Sequence, residues 1–465
     1  MSDGPNDDYL ARRQLRTGTA GWLLLAGLGV GYVISGDFSG WNYGLAQGGF
    51  GGLLVAGVVI AGMYLAMVLG MAEMSSALPA AGGGYTFARR ALGPWGGFAT
   101  GTAILIEYTM APAAVATFIG AYVESLGLFG ITDGWWVYLV AYALFIGIHL
   151  TGAGEALKVM FAITAVALVG LVVFAVAAVP LFDSAHLADI PPTGAAGASP
   201  FLPFGLLGIW SAVPFAIWFF LAVEGVPLAA EEASDPERNV PRGIVAAMLV
   251  LLLTGAAVLV LATGALGANA LAESGNPLVE ALASSGAGVV VNYIGLAGLV
   301  ASFFSIIYAY SRQTFALSRA GYLPRVLSVT NGRKAPTLAL LVPGAIGFLL
   351  SLTGEGDVLL NTAVFGAAVS YVLMMVSHIV LRRREPGMPR PYRTPGGVAT
   401  TGFALVVAAL AVVATFLVDP VAAGTALGVF ALFLLYFGLY SRHHLVAGAP
   451  DEEFAALQSA EAELT

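Results

Sequence analysis

Apolar segments of about 20 residues recur along this chain, and their recurrence limits its fold more than any other feature. A helix needs about that length to cross the hydrocarbon of a bilayer, and only helices or closed barrels satisfy their own backbone there. Twelve segments are legible, at residues 20–45, 51–77, 96–125, 135–152, 156–181, 204–229, 242–268, 288–316, 337–353, 358–381, 399–418 and 421–440. Short links carry Pro, Gly and charge clusters, such as Asp235-Pro236-Glu237-Arg238-Asn239 and the run from Arg382 to Pro395. None is long enough for a separate soluble domain. Charged residues make up 10% of the chain, against about 25% in soluble domains, too few to cover a surface in water. The expected fold class is an all-α polytopic membrane protein with 12 transmembrane helices.

Arg12, Arg13 and Arg16 before the first segment imitate a secretory signal, but that segment is long enough to cross and eleven more follow. It reads as an uncleaved first helix. Lys and Arg collect on the cytoplasmic side of membranes. With twelve alternating spans and the N-terminus inside, the inner segments carry Arg12, Arg13 and Arg16; Arg89 and Arg90; Lys158; Arg238 and Arg242; Arg312, Arg319, Arg325, Arg333 and Lys334; Arg382, Arg383, Arg384, Arg390 and Arg393; and Arg442. Together these are all 19 basic residues. The outer links hold Asp133, Asp183, Asp189, Glu273, Glu280, Glu355, Asp357 and Asp419 instead. Miscounting one span would scatter the bases to both sides. The expectation is a multi-pass cell membrane protein with both termini cytoplasmic.

Two spans are interrupted. The first contains Gly27, Gly29 and Gly31 and then the turn-like triplet Ser35-Gly36-Asp37; the sixth runs from Pro214 through Trp218 to Glu224-Gly225-Val226-Pro227. Glycine weakens a helix by about 1 kcal/mol relative to Ala. Disrupted spans at corresponding places point to an inverted-repeat transporter with its site at the midplane. Close helix packing accounts for most of the 60 glycines, but not for an acid beside each break. Asp37, Glu107 and Glu224 lie well within spans that hold no Lys or Arg beside them. An ionised carboxylate at a helix centre costs roughly 3 kcal/mol. Each must be protonated, hydrogen-bonded to unwound backbone, as in capping a broken helix end, or paired with a cation that is not part of the protein. The third option implies a cationic substrate. Glu73 is expected to be interfacial and Glu124 to sit at the outer mouth.

At these residues the sequence resembles the amino acid, polyamine and organocation (APC) superfamily, and within it the bacterial ethanolamine permease family. The likeness runs from about Gly18 to Arg442. It is carried by Leu78-Pro79-Ala80-Ala81-Gly82-Gly83-Gly84-Tyr85-Thr86-Phe87-Ala88-Arg89-Arg90 with Leu92-Gly93-Pro94, and by Phe220-Leu221-Ala222-Val223-Glu224-Gly225 leading to Glu231-Glu232-Ala233-Ser234-Asp235-Pro236-Glu237-Arg238-Asn239-Val240-Pro241-Arg242. The resemblance implies a leucine-transporter-like 5+5 inverted repeat with discontinuous helices 1 and 6. Its divisions are an N-terminal tail (1–17), a first repeat (18–182), an outer loop (183–203), a second repeat (204–395), peripheral helices 11 and 12 (396–441) and a C-terminal tail (442–465).

Ser35 and Gly36 fall on the motif that offers backbone N–H groups to a carboxylate in family amino acid transporters. Asp37 beside them opposes a carboxylate, which fits an amine such as ethanolamine. Glu107 falls where helix 3 lines the central site and is the first choice for the ammonium. Trp218 matches an aromatic residue that closes over substrate, and Glu224 a shared glutamate assigned to gating or protonation. Tyr108, Phe219, Leu221, Ala222 and Ser305 complete the implied substrate site. Some proton-driven relatives place a lysine in the middle of helix 5; here that region, 161–166, has none, and Lys158 lies near the cytoplasmic end.

The function expected is secondary transport of ethanolamine or a similar small primary amine, with a proton or an exchanged solute left open as coupled partner. The alternatives are a permease for zwitterionic amino acids and a membrane sensor that binds the amine without moving it. The chain has no Cys, its five His residues show no metal-ligand spacing beyond the adjacent pair His443 and His444, and its net charge is −8. Neither enzyme activity, metal, cofactor nor nucleic acid is expected.

Overall fold

A computed structural model of the chain describes residues 18, 20–80, 82–127 and 134–445. The terminal segments with Arg12, Arg13 and Arg16 and with residues 446–465, together with Ala81 and Asp133, lie outside the described residues. Regular structure among the described residues is helical, apart from isolated bridges between Ala20 and Ala233 and between Thr330 and Pro336. The main helices are α1 (Trp22–Val33), α2 (Ser35–Phe38), α3 (Tyr43–Ala77), α4 (Gly84–Ser125), α5 (Trp135–His149), α6 (Ala153–Ala178), α7 (Gly205–Trp218), α8 (Pro236–Leu266), α9 (Gly288–Arg319), α10 (Thr337–Ser351), α11 (Gly356–Arg384), α12 (Val398–Val418) and α13 (Pro420–Leu439). Nine helical segments among the described residues are long and apolar enough to cross a membrane, and Trp22–Phe38, Trp135–His149 and Thr337–Ser351 are shorter apolar helices.

Several limits differ from the hydropathy reading. Residues 43–45 open α3 instead of ending the first span, and α4 begins at Gly84 rather than at 96. The Leu92-Gly93-Pro94 motif bends α4 without ending it. Gly93 adopts φ 75°, ψ −169°, open to glycine at no steric cost, and Pro94 resumes the helix where its missing N–H has no partner to lose. Pro236 starts α8 six residues before the expected 242 for the same reason.

Apolar side chains point outward along these helices: Val176 is 71% exposed, Leu253 73% and Val421 77%. In water such a surface would be an aggregation liability; in lipid it is the ordinary exterior. Inside, small residues let large ones close the gaps. The ring of Phe38 lies where a Cβ on Gly295 or Gly298 of α9 would fall, and its carbonyl accepts the Tyr122 hydroxyl at 2.9 Å.

At the end of the helices rich in Arg, carboxylates are paired. Glu73 is buried at this end: Arg382 Nε donates to it at 2.8 Å, Thr394 N at 2.7 Å, and Arg390 lies at 3.0 Å. Glu232 and Arg312 form a buried pair at 2.6 Å, with the Tyr308 hydroxyl donating to the second Glu232 oxygen at 2.6 Å. Glu124, at the other end of α4, is exposed.

Candidate functional site

The site forms where two interrupted helices cross. After α1 a turn at Ile34 leads into α2, and Ser39 is extended before Gly40 takes φ 92°. The triplet Ser35-Gly36-Asp37 is therefore not the unwound part, as expected, but one helical turn, closed by Ser39 N donating to Ser35 O at 3.0 Å. The larger unwinding follows, at residues 39–42. The second interruption lies between α7 and the 3₁₀ segment Val223–Glu232, where Ala222 takes the left-handed values φ 78°, ψ 2°. Pro214 and Pro227 flank it.

Close backbone approach joins the two interruptions. Gly36 packs against the carbonyl of Trp218, leaving no room for a Cβ. Trp218 Nε1 donates to the Ser39 carbonyl at 2.9 Å, and Phe219 stacks on Trp41 with centroids 5.6 Å apart. Ser35 Oγ donates to Ser302 Oγ at 2.8 Å, and Ser302 Oγ to Tyr32 O at 2.5 Å, which ties both to α9.

The three intramembrane acids sit around this crossing in different states. Asp37 is fully buried, and neither carboxylate oxygen has a partner within ordinary hydrogen-bond geometry; the Thr254 hydroxyl of α8 is close enough to act on it as a donor, with Gly255 beside it. Glu107 is fully buried on α4, and neither of its oxygens has a partner within ordinary hydrogen-bond geometry. It faces Glu224 closely enough for the two carboxyls to share a proton through a hydrogen bond. Glu224 is satisfied: Tyr108 donates to Oε1 at 3.0 Å and Tyr371 to Oε2 at 3.1 Å, with Tyr64 2.9 Å from Tyr371. Burying a charge without a partner is costly, so Asp37 and Glu107 each require a proton or a cation from outside the chain.

The remaining candidates divide. Tyr108 is engaged with Glu224 through its hydroxyl, and Trp218 spans the two breaks through its indole. Phe219, Leu221 and Ala222 form the second interruption itself and are buried. Ser305 faces elsewhere: its hydroxyl donates to Ala301 O at 2.7 Å, and it packs against Gly31 with Thr164 beside it. Lys158 is exposed on α6. Sequence reasoning passed over Tyr371, Tyr64, Ser302 and Thr254, and also the buried Glu232–Arg312–Tyr308 cluster. For Tyr371, Tyr64, Ser302 and Thr254 a polar side chain within an apolar span is the only mark, while Glu232 and Arg312 read as charges of the inner links. Among the described residues no three His, Asp or Glu side chains are grouped as they would be to hold a metal ion.

The sequence model of the amino acid permease family matches residues 23–450. Similar curated proteins include an uncharacterized transporter of Rhizobium meliloti (strain 1021), 28% identical with 84% of this chain and 85% of that protein covered. A branched-chain amino acid permease of Bacillus subtilis (strain 168) is 28% identical, covering 81% and 84%. The methylthioribose transporter of the same organism is 27% identical, covering 79% and 82%.

Proposed function

This chain belongs to the amino acid permease family, and from that premise we propose that it takes up ethanolamine or a similar small primary amine across the cell membrane by alternating access. The observation that carries this reading is the burial of Asp37 and Glu107 beside two helix interruptions, with no Lys or Arg among the groups acting on either. A primary ammonium supplies the charge and the donors they lack. Glu107 takes the ammonium; Ser35, the Gly36 backbone and the Phe219–Ala222 interruption, including Leu221, take the hydroxyl. Tyr108 and Trp218 are walls, and Asp37 assists without capping either break, since neither of its oxygens accepts a backbone N–H. Ser305 on α9, its hydroxyl spent on the Ala301 carbonyl, is given no contact with substrate. Glu224, already held by two tyrosines, serves gating or proton coupling. The nine long and three shorter apolar helices are read as twelve crossings: residues 18–182 and 204–395 as inverted five-helix repeats, 183–203 as an outer loop, 396–441 as peripheral, and the tails 1–17 and 442–465 as cytoplasmic.

A second reading, a permease for zwitterionic amino acids, is favoured by the name of the branched-chain relative. In that case Asp37 is protonated. Uptake of labelled ethanolamine into proteoliposomes tests the first reading. Saturable uptake is expected, abolished by Glu107→Gln in protein that melts as wild type does. Uptake by Glu107→Gln at unchanged affinity overturns the site assignment, and stronger competition by alanine than by ethanolamine decides for the second reading.

A further inference from the structure

A groove of about 990 Å³ opens at the end of the helices rich in Arg, between the start of α1, the start of α8 and the link after α11. Its walls include Trp22 from α1, Tyr392 from the link, and Arg238, Arg242, Val245 and Leu249 from α8. Spacings of four, three and four residues put those α8 side chains on one face of the helix, with Arg242 and Leu249 about 10 Å apart along its axis. Close packing sets the facing wall. A Cβ on Gly243 would strike Leu25 and crowd the Trp22 carbonyl, so α8 closes on α1 there. The link is held to α3 by Tyr392 N donating to Ser76 Oγ at 3.1 Å.

The groove changes character along its length. Its polar end carries two guanidiniums, Arg238 and Arg242, and one carboxylate, Glu237. Arg238 lies 3.6 Å from Asp235, with both side chains exposed, and exposed pairs of this kind hold weakly. Arg242 is exposed and makes no hydrogen bond or ion pair with the described residues. At the other end Leu249 is 57% exposed, and Leu253, one turn further along the same face, is more exposed still, as on the lipid-facing side of a spanning helix. Trp22 is exposed at the junction of the two ends, and indoles collect where membrane meets water.

We propose that this groove is a binding site for an anionic phospholipid of the adjoining leaflet, with its phosphodiester on Arg242 and Arg238 and an acyl chain along Val245, Leu249 and Leu253. On the orientation proposed above, that leaflet is the inner one. A guanidinium offers paired N–H donors to phosphate oxygens, and basic pockets between spanning helices suit lipid headgroups. A soluble phosphate ester would meet the same arginines but leave the apolar half of the groove unused. Phosphatidylethanolamine carries the same phosphodiester together with an ammonium, which the excess of guanidinium in the wall disfavours.

Native mass spectrometry of the full chain in detergent, titrated with dioleoyl phosphatidylglycerol, reads the affinity of the first lipid bound. Arg238→Gln with Arg242→Gln is expected to weaken it by about fivefold or more, the effect of at least one basic residue at a membrane surface. Arg383→Gln with Arg442→Gln removes the same charge from exposed positions outside the groove and should leave the affinity within about twofold. Equal losses in the two double variants would mean a diffuse attraction to the Arg-rich end, and no loss in the first would mean no contact with these arginines; either result overturns the site. Glycerophosphoglycerol, the headgroup without its chains, should not displace the lipid even in large excess. Displacement would assign the groove to a soluble ester instead, and phosphatidylethanolamine held as tightly as phosphatidylglycerol would overturn the anionic assignment.

Discussion

Gly36 shows how a single hydrogen atom in place of a methyl group sets the site. Its backbone touches the Trp218 carbonyl, so Gly36→Ala must push the two interruptions apart, an overpacking of the kind that costs roughly 1–3 kcal/mol. The expected outcome is a lower melting temperature and uptake reduced at least tenfold; an alanine variant with wild-type uptake would mean the crossing is not kept in the working protein. Glu224 tests the opposite case, a carboxyl whose partners can be removed one at a time. Tyr371→Phe removes one of its two donors. If Glu224 serves gating, Tyr371→Phe slows maximal uptake several-fold while the apparent affinity for amine stays within about twofold; a large loss of affinity with unchanged maximal rate would place Glu224 in recognition instead. Asp37, Glu107 and Glu224 were legible from composition alone, because an acid in an apolar span has no cheap solution. Their different states were not. Tyr371 lies 147 residues from Glu224, and nothing in either span's hydropathy says which helices face each other.

At the scale of elements, the legible and the hidden divide along the same line. Apolar length is a property of each segment by itself, so most helices of the structure overlap a segment read from sequence. The exact site of unwinding depends on packing: Ser35-Gly36-Asp37 has turn-like composition, yet forms a helical turn because Ser35 is tied to Ser302 and Phe38 is seated against Gly295 and Gly298 of α9. The same dependence hides the Glu232–Arg312 pair, which fastens the end of the 3₁₀ segment Val223–Glu232 to α9. Removing one partner of a buried ion pair typically costs about 3–5 kcal/mol, whereas apolar replacement of both is often neutral. Arg312→Met alone is therefore expected to lower the melting temperature in detergent clearly more than Arg312→Met with Glu232→Leu. Equal losses from the single and double variants would show that the pair contributes no fastening.

For the whole molecule the central expectation is sidedness. The chain has no cysteine, so an introduced thiol is the only one to react. Ala195 and Gly332 are both exposed, in links on opposite sides of the proposed membrane. A membrane-impermeant maleimide should label Ala195→Cys in intact cells and Gly332→Cys only after permeabilisation; the reverse pattern would invert the orientation, and labelling of both in intact cells would break the count of twelve crossings.

The indole of Trp218 is held by one neutral hydrogen bond to the Ser39 carbonyl. Such a bond nets only about 1 kcal/mol, equivalent to about a fivefold change in a lifetime. On the proposed reading, cargo on this side of the crossing would be detained by a fastening that thermal motion undoes readily. If Trp218 closes over substrate as proposed, its indole works as a clutch, which slips before it breaks.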